Sequence, residues 1–298
     1  MKKHTLIVIV GPTASGKTGL SIALAKKYGG EVISADSRQV YRGLDIGTEK
    51  VTKKEMLGVP HHCIDIASPK RSYSVEQWRK KAQNAIVSIV KNGHIPIIAG
   101  GTGFYVDALV YDHTFPQVKP NTKLRNRLKK KNVEELFTIL SQQDPRRART
   151  IERNNPRRLM RAIEIAHELG RVPVLKKRES PYRPVWIGIN PGHEELKKRI
   201  ESRFKTTLKR GLVREVRNAR TVLGLSDRRI NELGLEYRIV GEFLRGEIDE
   251  QEMKEKNIRE LCKYAKRQMT WLKRNGEIMW FRDTKEVLAS KDVASLLS

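Results

Sequence analysis

Acidic residues, cysteines, aromatics and long apolar runs are all scarce in this 298-residue chain. The two cysteines, Cys63 and Cys262, stand far apart, which excludes a disulfide framework or a cysteine-based structural zinc site and points to a reducing compartment. A membrane-spanning helix needs about twenty apolar residues. The longest candidate here, Leu6 to Val10, runs straight into a glycine turn. With 32% charged residues and a mean hydropathy of −0.56, a polytopic membrane protein is excluded. Lys2 and Lys3 imitate the basic start of a secretory leader, but no small-residue cleavage site follows. A soluble, cytoplasmic protein is expected. There is no internal repeat, no low-complexity tract and no heptad seam that would mark an oligomer interface.

What is abundant is positive charge. Sixty Lys and Arg stand against 34 Asp and Glu, a formal net charge of +26. Such an excess favours a polyanionic partner, because neutralising phosphates releases counterions. A generally basic composition explains it equally well, so charge alone does not decide. The 38% of hydrophobic residues is enough to bury a core at this length, as one large domain or two smaller ones.

The chain divides into parts of different composition. Residues 5–111 alternate apolar runs with helical patterns: strands at Thr5 to Val10, Glu31 to Ser34 and Ile95 to Ala99, helices at Thr18 to Lys27 and Ser74 to Lys91. This alternation predicts an α/β fold with a parallel sheet flanked by helices. Residues 113–183 carry 19 Lys and Arg against 7 Asp and Glu, with helical periodicity at Val133 to Leu140 and Leu159 to Leu169. Prolines bracket this stretch at 116, 120, 173, 181 and 184, and it reads as an inserted basic all-helical domain. The expected core is therefore 1–112 with 184–298, Val185 to Ile189 returning to the sheet as a strand and Glu194 to Asn275 being mostly helical.

Three candidate ligand-binding segments follow the predicted strands. Gly11-Pro12-Thr13-Ala14-Ser15-Gly16-Lys17-Thr18 lies between the first strand and a helix, the context a phosphate-binding P-loop requires. Its amides and the helix N-terminus can cradle a diphosphate, Lys17 adds a point charge, and the Thr18 hydroxyl can ligate Mg²⁺. Nucleotide-binding and ATP-binding proteins share such loops, and the pattern does not say which diphosphate is held. Asp36-Ser37-Arg38-Gln39 follows the second strand, where a carboxylate faces the same crevice. Asp36 can be a base, a carboxylate behind a magnesium ion, or a cap of the next turn. Gly100-Gly101-Thr102-Gly103-Phe104-Tyr105 follows a third strand; its glycines permit close approach to a ligand and Thr102 offers a hydroxyl. His61-His62-Cys63 lacks a second ligand cluster and reads as packing rather than metal binding, and Trp271, Trp280 and Phe281 read as core.

Taken together, the P-loop, the run from Ile33 to Thr48 that contains Asp36 to Arg42 and Asp45-Ile46-Gly47-Thr48, Gly58 to His62 and Gly100 to Tyr105 resemble the bacterial tRNA dimethylallyltransferases. Asn155 to Glu164 is similar to the family's basic helix and Tyr264 to Trp271 to its C-terminal helix, so the resemblance spans nearly the whole chain. It implies transfer of a dimethylallyl group from dimethylallyl diphosphate to N6 of adenosine 37 in tRNA anticodon loops. Asp36 would be the base, with Thr102 and Lys17 also catalytic. Gly11 to Thr18 and Arg203 would hold the diphosphate with Mg²⁺ on Thr18. Asp36, Ser37, Arg38, Gln39 and Thr102 would meet the flipped nucleotide. Arg125, Arg157, Arg158, Leu159, Met160 and Arg161 would meet the anticodon stem-loop. No membrane and a monomer are implied. Glu49, Lys205, Leu233 to Arg238 and Glu260 to Lys263 depart from the family pattern, and the eukaryotic zinc finger is absent. An adenylate isopentenyltransferase, with less need of a basic insertion, or a P-loop kinase or NTPase are the competing readings.

Overall fold

The computed structural model describes residues 3–174 and 178–297, so Lys2 lies outside the described residues. Among these, six strands form one sheet: β1 (Thr5–Val10), β2 (Gly30–Ser34), β3 (His61–His62), β4 (Ile95–Gly100), β5 (Arg183–Ile189) and β6 (Met279–Phe281). Their order is β3-β2-β4-β1-β5-β6, and every pairing is parallel. The fold is therefore α/β, as the alternation of short β-branched runs and helices predicts.

Side chains of β1 alternate between two cores. Leu6, Val8 and Val10 join Trp78, Ile98 and Trp186 on one face. Ile7 and Ile9 join Leu20, Ile97 and Ile187 on the other. A strand buried on both faces reads as a continuous apolar run, which is what residues 6–10 are. The helix Val75–Lys91 starts from a capping box between Ser74 and Gln77. Its buried Trp78 donates its indole N–H to the Ser34 carbonyl at 3.0 Å, securing the end of β2. At the start of β2, the carboxylate of Glu31 lies 2.6 Å from both His62 and His94. Trp280, expected in the core, is 36% exposed. Trp271 donates to Asp107 at 2.8 Å.

The chain forms two compact units, one of residues to Asp112 together with those from Glu179, the other His113–Arg178. Tyr182 packs against the α/β core and Glu179 pairs with Lys3, so the first unit resumes before Arg183. The second unit has its own core, in which the helices Val133–Gln143 and Pro156–Leu169 contribute Leu136, Leu140, Leu159 and Ile163. Asn132 and Asn155 cap those helices with their side chains.

Candidate active site

Strand register brings the three candidate segments level. Val10 pairs with Gly100 and Ser34 with Ala99, so β1, β4 and β2 end together. Gly100 can stand there because a Cβ would lie 2.2 Å from the Ala35 carbonyl oxygen; no other residue fits between those strand ends. Ligands of parallel α/β sheets bind at such carboxyl ends. Here the ends open into a cavity of about 700 Å³.

Thr13, Ala14, Ser15, Gly16, Lys17 and Thr18 line this cavity together with Asp36, Arg38, Gln39 and Arg203. Ala14 at φ 63° and Gly16 at φ 100° turn the loop's backbone before the helix Lys17–Tyr28. The Lys17 ammonium donates to the Pro12 carbonyl at 2.6 Å. Burial, reinforced by repulsion from Arg203 and opposed by Asp36, pulls its pKa down to about 7. Arg203 donates to the Thr13 hydroxyl at 2.6 Å and Arg199 to the Ser15 carbonyl at 3.5 Å. Ser15 Oγ is buried and, among the described residues, has no hydrogen-bond partner. An orphaned hydroxyl beside two cations held by neutral groups suits an anionic ligand.

The Asp36 carboxylate is oriented by its own turn. Its Oδ1 accepts the backbone N–H of Arg38 at 2.7 Å and of Gln39 at 3.4 Å, the cap geometry that sequence left open. Capping and facing the cavity are thus compatible. Ser37 donates its N–H to Thr102 Oγ1 at 3.4 Å, and Tyr264 also hydrogen-bonds Thr102. Gly11, Pro12, Ser37 and Thr102, expected at the ligand, are not among the residues that line the cavity.

Several lining groups escaped the sequence reading. Gln268 accepts the Thr13 backbone N–H at 2.8 Å and donates to the Gly101 carbonyl at 3.0 Å, joining two of the three segments. Tyr264 lies one turn before it on the helix Glu250–Leu272, and burial raises its pKa to about 12. The i, i+4 spacing of Tyr264 and Gln268 was the available signal. Glu236, in the first turn of the helix Leu235–Leu244, is buried in the wall. Burial raises its pKa to about 7 despite a bond from its own backbone amide.

In the basic unit the arginines differ. Arg157 and Arg158 are exposed, Arg158 pairing with Glu152 at 3.0 Å. Arg125 and Arg161 both grip Glu164, at 2.8 and 2.5 Å, and Glu164 is only 1% exposed. Burial would raise the Glu164 pKa, but hydrogen bonds from Arg125, the Asn121 amide and Arg161 hold it below the usual range. Leu159, grouped with the surface contacts from sequence, is a correction: it is fully buried in this unit's core, so its side chain has no surface to offer. Met160 is partly buried against the same core.

The family model for IPP transferase matches residues 39–275. A tRNA dimethylallyltransferase of Staphylococcus carnosus is 40% identical over 290 residues, covering 94% of this chain and 91% of that one. Its counterpart from Pelotomaculum thermopropionicum is 38% identical, with coverages of 94% and 91%. Among solved structures, the full-length tRNA isopentenylpyrophosphate transferase of Bacillus halodurans superposes with a TM-score of 0.75 at 36% identity, covering 99% of this chain and 97% of that one. A eukaryotic dimethylallyltransferase acting on tRNA gives 0.81 at 25% identity, covering 98% and 78%. By family model, sequence and fold, the chain belongs to the IPP transferase family of tRNA dimethylallyltransferases.

Proposed function

We propose that the protein transfers a dimethylallyl group from dimethylallyl diphosphate to N6 of adenosine 37 in tRNA anticodon loops, releasing diphosphate. The observation that carries this reading is a single cavity lined by an oriented carboxylate, Asp36, and by a phosphate-type loop with Lys17 and Arg203. An adenine amine is a weak nucleophile, since its lone pair is delocalised into the ring. Asp36 accepts the amine's proton as the new C–N bond forms and the allylic C–O bond breaks. Lys17, Arg203, the loop amides and the Ser15 hydroxyl stabilise the charge that develops on the departing diphosphate. Thr102 acts through its bonds to Ser37 and Tyr264, holding the nucleotide-facing turn.

A donor set of one hydroxyl, Thr18, beside an anion cradle fits Mg²⁺, which keeps several waters and takes its remaining ligands from substrate phosphates. Thr18 would hold the ion, which supplies further neutralisation of the leaving group. The acceptor base leaves its stack to reach Asp36, at a cost of about a few kcal/mol. Arg38 and Gln39 then meet the flipped nucleotide from the turn that Ser37 and Thr102 hold, while Arg157 and Arg158 meet the phosphates of the anticodon stem-loop. Arg125 and Arg161 shape that surface through Glu164. The unit 113–178 is the tRNA grip. No helix among the described residues is long and apolar enough to cross a membrane.

The test is incubation with Mg²⁺ and labelled dimethylallyl diphosphate in the presence of unmodified tRNA, AMP or no acceptor, with ATP hydrolysis followed separately. Label in tRNA alone is expected. Label in AMP, or ATP hydrolysis without transfer, would overturn the reading.

A further inference from the structure

The run Asp45-Ile46-Gly47-Thr48 carries part of the family resemblance but takes no part in the chemistry above. In the structure, three successive amides of this run converge on one carboxylate from a distant helix. Glu215 Oε2 accepts the backbone N–H groups of Asp45 and Ile46, each at 2.7 Å, and Oε1 accepts that of Gly47 at 2.8 Å. The Tyr237 hydroxyl donates to the same Oε1 at 2.7 Å. Glu215 belongs to the helix Leu212–Thr221 and Tyr237 to Leu235–Leu244, so one side chain joins a loop to two helices. Four donors on one ionised acceptor make a strong attachment. Burial, and then the negative charge of Glu215, push the Tyr237 hydroxyl well above its ordinary range, so it remains a donor.

The attached loop controls what lies beyond it. Thr48 and Glu49 offer their carbonyls to the Gln39 amide at 3.2 and 3.1 Å, and Gln39 Oε1 accepts from Ser34 Oγ at 2.8 Å. Lys50 anchors the loop's far end on the Tyr41 carbonyl, Asp45 and Asp65. Gln39, which lines the cavity, is thus held between this loop and the end of β2. The phosphate loop is fastened by other groups, Gln268 and Arg203 on Thr13, and none of these bonds involves Glu215.

We propose that Glu215 is a positioning residue for the acceptor: it clasps the Asp45–Gly47 amides and thereby holds Gln39 at the nucleotide's side of the cavity, leaving donor binding untouched. This rests on the functional reading above. The Gln variant keeps one accepting oxygen but turns an NH₂ group toward backbone N–H groups, so the clasp opens with little change in volume.

The experiment compares wild type and Glu215→Gln in steady-state prenylation of tRNA and, separately, titrates dimethylallyl diphosphate without tRNA. Misplacement of a substrate-facing group costs on the order of ten- to a hundredfold. The expected result is a fall of that size in kcat/KM for tRNA with a donor Kd within about twofold of wild type. An unchanged kcat/KM, or equal losses on both sides, would overturn the proposal. Should Glu215→Gln fail to fold, Tyr237→Phe, which removes one of the four donors, carries the test: a smaller loss confined to tRNA supports it, and no such loss overturns it. A wild-type protein that leaves tRNA unlabelled removes the functional reading and this inference together. An active wild type with an unaffected clasp variant removes the inference alone.

Discussion

Arg203 and Arg161 look alike in sequence, each one basic residue among many on a helix, yet their surroundings differ. Arg203 ends on the neutral hydroxyl of Thr13, close to an ammonium held by a carbonyl, so cationic charge in the cavity is left for a ligand. Arg161 shares the buried carboxylate of Glu164 with Arg125 and also donates to the Val118 carbonyl at 3.0 Å, so most of its charge is already engaged. A basic residue is available to an anion according to what else holds it, and counting Lys and Arg does not reveal that.

The largest expected effect tests the cavity side of this contrast. Asp36→Ala should lower the prenylation rate by about 10²- to 10⁴-fold, with tRNA affinity nearly kept, as read by single-turnover kinetics alongside filter binding. Near-normal turnover would remove Asp36 as the base. Next comes Glu164→Gln, which leaves two partly exposed arginines without their shared partner. A loss of about 3 kcal/mol in unfolding free energy is expected, together with weaker tRNA binding because both arginines lose the group that places them; an unchanged denaturation midpoint would show the triad to be idle.

A smaller effect concerns Lys17. Its pKa near 7 means that the ammonium is lost as pH rises through neutrality, whereas a bound diphosphate favours the charged form. Donor affinity should therefore weaken by on the order of tenfold between about pH 6 and pH 8, with proton uptake on binding near pH 7. Calorimetry in buffers of different ionisation enthalpy reads this directly, and binding without proton uptake would contradict it. Smallest is Arg157→Ala: tRNA affinity should drop modestly and the salt slope become shallower by about one, while the melting temperature stays put. An equal slope would mean that this exposed arginine meets no phosphate.

The fold was legible where a short segment contains its own instructions. Residues 6–10 are apolar on both faces because both faces are covered, and the Gly11–Thr18 loop declares itself by local backbone needs. Leu159 misled because residues 157–161 form a single matching run, although successive helix positions point in different directions. Gln268, Tyr264 and Glu236 were not readable as site residues, since they reach the cavity from helices more than two hundred positions from the loop. Periodicity tells that such a helix has an inner face, not what that face will meet. Glu215 is hidden for the same reason: nothing local to it announces three amides waiting at 45–47.

The order of the strands also has a consequence for synthesis on the ribosome. β1 is made before either of its neighbours, β4 and β5, and β5 spans Arg183–Ile189. β1 can pair with β4 once Gly100 has been made, but its other edge must stay open until β5 follows the inserted unit, whereas 113–178 can close on contacts of short range. The Thr13 amide waits longer still, for Gln268. The phosphate-type loop should thus be fastened only late in folding, so a truncation that removes Gln268 would loosen a loop whose Thr13 was made 255 residues earlier.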